Sequence, residues 1–256
     1  MHIDPAYLFT LMLVFVRIGG LMVSAPLFSH ASIPVRVRVL FSAMMAYVLV
    51  GFVPGPLPPN LGHPVAFITA ILIEALTGVM LGFAAQFVFW SVQYAGEIIG
   101  YQMALALATA FNPIDGMHSN PIGRFLMTSL LLIFLLLDGH HYVLQALVYS
   151  FDAVPLAGAN LAAGGPVMLE WTGTFFKTAL QLASPFMITI FLVDASLGVF
   201  AKVAPQADLF SVALPVKLLV GLTMMVFFIG NFVPMVPDFI QQMFSYMMRI
   251  VGMLAT

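Results

Sequence analysis

The chain has 256 residues, of which 62% are hydrophobic and only 7% charged, with 8 Lys plus Arg against 10 Asp plus Glu. A soluble domain carries roughly 25% charged residues, so this chain cannot cover a water-facing surface and is built for lipid or for burial against other apolar subunits. A net charge of −2 leaves no basic footprint for nucleic acid, and the absence of cysteine excludes disulfides and thiolate metal sites.

Residues 6–28 form an apolar run long enough to span a bilayer, which takes about 20 residues. The stretch lacks a basic leader and a cleavage site, so it reads as a retained first span and not a signal peptide. Arg17 interrupts it near the middle. A charge at that depth must face protein or water, so this helix has neighbours. A connector, PLFSHASIP, leads to Arg36 and Arg38 and a second helix over about 37–53. A proline-dense loop over 54–64 follows, stiff and partly polyproline-like.

The third helix starts near Val65, carries Glu74 and runs to Trp90 or beyond, long enough to need a tilt or a kink. Small residues recur along it every four positions, Gly78 and Gly82, then Gly96, Gly100, Ala104 and Ala108. In an apolar setting such stripes let two helix backbones come close. Gln93 and Glu97 flank the second stripe. The helix then stops, because Asn112-Pro113 disfavours helical geometry and Asp115-Gly116 supplies turn chemistry. Asn120-Pro121 reads as an N-cap followed by proline at the first helical position, so a new helix returns from there. The stretch predicts a re-entrant-like helical hairpin around a short loop.

The returning helix covers about 122–137, and after Asp138-Gly139-His140-His141 a further helix continues through Tyr149. Residues 152–170, rich in Gly, Ala and Pro, mark the boundary between an N-terminal part (1–151) and a C-terminal part (152–256). The last third predicts helices over 171–200 and 209–233, joined by a turn at 201–208, and a separate final helix over 236–256. On that last helix Asp238, Gln241, Gln242, Ser245, Arg249 and Gly252 form one polar stripe. Lys177 and Lys217 add charges inside apolar runs.

Each conspicuous group also has a plain reading. Glu97 could relay protons or touch a substrate. A carboxylate satisfied by a helix end or a basic partner is the simpler account, since a lone acid without a paired base is thin evidence for chemistry. Asp138, His140 and His141 look like a metal cluster, but zinc takes three or four ligands and HExxH is absent. Adjacent histidines point to different helix faces, so a helix-start turn capped by Asp138 is preferred. No nucleophile elbow, Walker loop or dinucleotide fingerprint is present, and neither an enzyme nor a cofactor is expected.

Several segments resemble the FliR family of flagellar type III export-gate proteins, whose relatives serve in virulence injectisomes. They are APLFSHASIPVRVR, QYAGEIIGYQMALALATAFNPIDGMHSNPIGRF, LLDGHH and LQLASPFMITIFLVDASLGVFAKVAPQADLFSVALPVKLLVGL, in the family's order from about Ala25 to Gly221. Asn112-Pro113 stands where the family has Asp-Pro, and Pro205-Gln206-Ala207-Asp208 where it has Pro-Gln-Met-Asn. The resemblance implies an all-α, multi-pass subunit of the inner membrane and flagellar basal body, built as a FliP-like part (1–151) joined to a FliQ-like part (152–256). It implies assembly with FliP and FliQ into a closed pore for unfolded flagellar export substrates, with FlhB as a further partner and FlhA nearby. It also implies that Phe111, Asn112, Pro113, Ile114, Asp115, Gly116 and Met117 form a loop that plugs the channel. Phe111, Ile114 and Met117 would supply the apolar tip, and Gly96, Glu97, Gly100 and Ala104 would serve helix packing. A secondary transporter for a small solute is the rival class, since broken helices with an internal acid occur there too. Such a transporter should show two matching halves, and no convincing internal repeat is present. The injectisome form of the same gate is the nearer alternative.

Overall fold

The computed structural model describes residues 5–30, 32–53, 63–105, 120–206 and 208–255, and every element among them is helical. We label the helices α1 (Pro5–Ser24), α2 (Val35–Leu49), α3 (Pro64–Gln102), α4 (Pro121–Leu136), α5 (Gly139–Ala153), α6 (Leu161–Val203) and α7 (Leu209–Leu254). A single 3-10 turn, Val50–Phe52, extends α2. Five helices are long and apolar enough to cross a membrane, and α4 with α5, which meet at 73°, would make a sixth as one bent span.

Two expectations are corrected by helix length. The separate final helix over 236–256 does not exist, because α7 is one helix of 46 residues with Pro215, Pro234 and Pro237 inside it. Each proline removes one backbone bond, whereas breaking the helix would free several groups in surroundings with no water to receive them. The helix expected over 171–200 likewise begins earlier, at Leu161 within the Gly- and Ala-rich stretch.

The chain forms two compact units, one of residues 1–88, 134–172 and 239–256, the other of 89–133 and 173–238. In the first, α1 and α3 touch backbone to backbone. A Cβ on Gly78 would strike the Arg17 carbonyl, one on Gly82 would strike Ser24 and Ala25, and one on Gly20 the Ala75 carbonyl. The stripe at 78 and 82 therefore has its close neighbour in α1. That contact brings the Arg17 side chain, fully buried, onto Glu74, also fully buried. Arg17 donates through Nε and Nη2 to the two carboxylate oxygens. It also donates to the carbonyls of Ser150 and Val154 at the C-terminal end of α5, at 2.8 and 3.2 Å. Glu74 Oε1 accepts the Ala157 N–H at 2.6 Å. Two charges in an apolar interior thus satisfy each other and close the end of a third helix.

Elsewhere in this unit Trp171 stacks on Tyr246 at 4.6 Å between ring centroids, and the Leu254 carbonyl at the end of α7 accepts the Asn160 N–H. Phe239, Ile240, Met243, Met247, Ile250 and Val251 are buried, while Gln241, Ser245, Arg249 and Gly252 are exposed. The polar stripe of α7 lies where the 3.6-residue period puts it. Arg249 forms a bidentate pair with Glu170.

In the second unit the end of α3, α4 and the middles of α6 and α7 share a core that includes Ile99, Leu126, Phe186 and Phe232. Lys217 meets Asp194 at 2.6 Å, so one charge from each long helix is balanced by the other.

Candidate functional site

The site of interest is the interruption between α3 and α4, within the second unit. Gly96 is buried against α4, where a Cβ would lie 2.5 Å from the Gly123 Cα and 2.8 Å from its nitrogen. A Cβ on Gly100 would run into the Asn120 side chain, and one on Gly123 would come 2.6 Å from Glu97 Oε1. Three glycines therefore let α3 and the first turn of α4 pack at backbone distance. The neighbour of this stripe is α4 of the same chain.

That closeness places Glu97, half-buried, at the start of α4. Its Oε2 accepts the Asn120 N–H at 3.3 Å, and its backbone carbonyl accepts from Asn120 Nδ2 at 3.3 Å. Asn120 Oδ1 in turn accepts the Ile122 N–H at 3.0 Å, so the buried asparagine caps α4, with Pro121 at the first helical position. A carboxylate beside a helix N-terminus is electrostatically favourable. The geometry gives Glu97 a positioning task and shows no second titratable group poised for proton transfer with it among the described residues.

The stripe does not continue through Ala104. Helix α3 ends at Gln102, and Ala104 is left-handed, with φ 60. Its N–H bonds to the Tyr101 carbonyl, a closing turn of the kind that ends helices at a left-handed residue. Spacing alone does not reveal such a stop, because alanine fits a helix and a turn equally in the pattern of small residues. Met103, next to it, is buried against Gly221 of α7. Phe111, Asn112, Pro113, Ile114, Asp115, Gly116 and Met117, the expected plug, lie outside the described residues.

Asp138, His140 and His141 are the groups most able to hold a metal among the described residues, with one ligand atom from each lying within 4.8 Å of the others. The expected capping role is corrected. Asp138 occupies the N-cap position of α5 but is left-handed at φ 56 and makes no side-chain cap bond. A capping side chain needs an extended backbone to reach the second and third N–H groups. Its Oδ1 instead lies 3.7 Å from His141 Nδ1. The two imidazoles are also not splayed apart, since their ring centroids are 4.2 Å apart. Three ligands are one short of a closed zinc shell, and two of these groups are exposed.

With this geometry established, comparison with known proteins decides the class. Residues 8–243 match the family described as bacterial export proteins, family 1. The chain belongs to that family. As a member of bacterial export family 1 it resembles "Flagellar biosynthetic protein FliR" of Pectobacterium carotovorum subsp. carotovorum, 32% identical over 90% of this chain and 87% of the relative. The protein of the same name in Bacillus subtilis is 32% identical over 87% and 85% of the two chains. That of Escherichia coli is 30% identical over 92% and 88%. Membership in this export family makes the chain a component of an export apparatus and not an enzyme, and sets aside the small-solute transporter. Its helices make it a multi-pass protein of the inner membrane.

Proposed function

We propose that this export component works in the flagellar type III gate, joining FliP and FliQ in a closed pore through which unfolded flagellar proteins leave, with FlhB and FlhA as neighbours. The observation that carries the reading is identity of about a third to flagellar relatives across nine-tenths of the chain, which favours the flagellar gate over its injectisome counterpart. Residues 1–151 would be the FliP-like part and 152–256 the FliQ-like part. Support for the latter comes from α6 and α7, two helices of 43 and 46 residues joined by a short turn.

We assign the plug to Phe111–Met117. What supports it is the anchoring on either side, where Met103 is buried and Asn120 is tied to Glu97. An apolar constriction held at both ends can exclude ions by dewetting and still open at little energetic cost. The test is to replace 111–117 with a few glycines and serines, purify the complex to establish assembly, and measure ion and small-solute leakage across the membrane. Raised leakage with intact assembly is the expected result; an assembled complex as tight as the unmodified one overturns the plug.

A further inference from the structure

Helix α2 is poorly covered, with Leu40 and Tyr47 each 70% exposed. Between it and α1 lies an apolar groove of about 610 Å³, lined by Leu8, Met12 and Phe15 on one side and Ala43, Ala46 and Tyr47 on the other. Arg36, Leu40, Ala43 and Tyr47 are spaced 4, 3 and 4 apart, so the arginine sits on the same face of α2 as the groove.

The two arginines at the start of α2 are not equivalent. Arg38 donates to the carbonyls of Ser29 and His30 in the connector, at 3.3 and 2.8 Å. Arg36 is exposed and makes no hydrogen bond or ion pair with the described residues. At 1.5 Å per residue it stands about 10 Å along the axis from Ala43 and about 16 Å from Tyr47. One leaflet of a roughly 30 Å hydrocarbon core is about 15 Å deep. A free cation thus lies one acyl-chain length from an apolar slot on the same helix face.

We propose that the α1–α2 groove holds an acyl chain of an anionic phospholipid whose phosphate is bound by Arg36. An apolar partner helix would fill the slot but leave the arginine without a counter-charge. A lipid of this charge satisfies both ends at once. The guanidinium forms paired, charge-assisted bonds to phosphate oxygens, and the chain replaces the apolar contacts that α2 lacks.

The experiment takes the full chain purified from membranes with the subunits that accompany it, and reconstitutes it in nanodiscs of equal phosphatidylglycerol and phosphatidylcholine. The complex is then re-extracted and its retained lipid quantified by mass spectrometry. Phosphatidylglycerol should be enriched about fivefold, since one arginine at an anionic surface is worth about 1 kcal/mol. Arg36→Gln should return the ratio to that of the bulk lipid, and Ala43→Trp, which fills the groove, should lower retained lipid of both kinds. Because Arg36 is exposed and unpartnered, R36Q decides the matter even if A43W fails to purify. Equal retention of the two lipids by the unmodified complex overturns the proposal, as does an unchanged ratio in R36Q. So does a structure of the complex with a partner's helix seated in the groove.

Discussion

Arg17 sits at the centre of a helix that is otherwise apolar, and the packing around it follows from its need for acceptors. Glycines at 20, 78 and 82 bring α1 onto α3, and Glu74 supplies the counter-charge. Removing one member of such a pair leaves an uncompensated buried charge and costs about 3–5 kcal/mol. Glu74→Leu should therefore severely lower the thermal stability of the chain measured in its purified complex. Arg17→Met with Glu74→Met should recover much of that loss, but not all, because the Ala157 N–H and the Val154 carbonyl lose their partner at about 1–3 kcal/mol each, while the Ser150 carbonyl keeps the Val154 N–H. Melting temperatures should fall in the order unmodified, double, single; a single variant as stable as the double would contradict this account. That Arg17 needed a neighbour was legible from its depth alone. That the neighbour was Glu74 was not, since pairing across 57 positions is set by which helices meet. Asp138 misleads for a different reason, because residue type suggests a cap while the left-handed backbone withholds it.

At the scale of elements, the helical periods were more readable than the helix ends. Asn120-Pro121 marked the start of α4 because a cap acceptor and a proline act locally. The break expected before Pro237 fails because a proline weakens a helix by an amount that an apolar environment overrides, whereas the chain does leave the helix after Ala153 and re-enters one at Leu161. The polar stripe of α7 survives the change of boundaries, since burial follows period and not length. Gln241 and Ser245 face outward beside buried Met243 and Met247. Converting Gln241, Gln242 and Ser245 to leucine should leave the inner face of the helix packed and the complex assembled, yet reduce export by disturbing a polar partner along that side. Swimming motility read together with recovery of the complex checks this. A triple-leucine variant that swims normally would make the stripe incidental surface.

The whole molecule exposes apolar surface that no water-facing protein could carry. On α6 and α7 alone Phe191, Leu219, Val226 and Phe227 are each about 70% exposed, and α2 with its 3-10 extension adds Val35, Leu40 and Phe52. Lipid could cover such side chains if they were spread evenly over helices of spanning length. Helices of 39, 43 and 46 residues are about twice what a bilayer needs, however, so part of their apolar length requires protein cover. Several of the few charges on these apolar helices are satisfied within the chain, by Glu74 for Arg17, Asp194 for Lys217 and Glu170 for Arg249, which leaves apolar contact as the main bond to partners. Such a subunit should be unstable by itself for lack of cover and not for lack of a fold. Expressed alone, the chain should aggregate in detergent and remain aggregated in nanodiscs, where lipid is supplied but partners are not. Co-expression with FliP and FliQ should convert it to a single monodisperse species by size exclusion. A stable, monodisperse lone chain in detergent would show that lipid-like cover suffices, and rescue by nanodiscs without partners would assign the long apolar faces to lipid and remove the argument for an obligate protein neighbour.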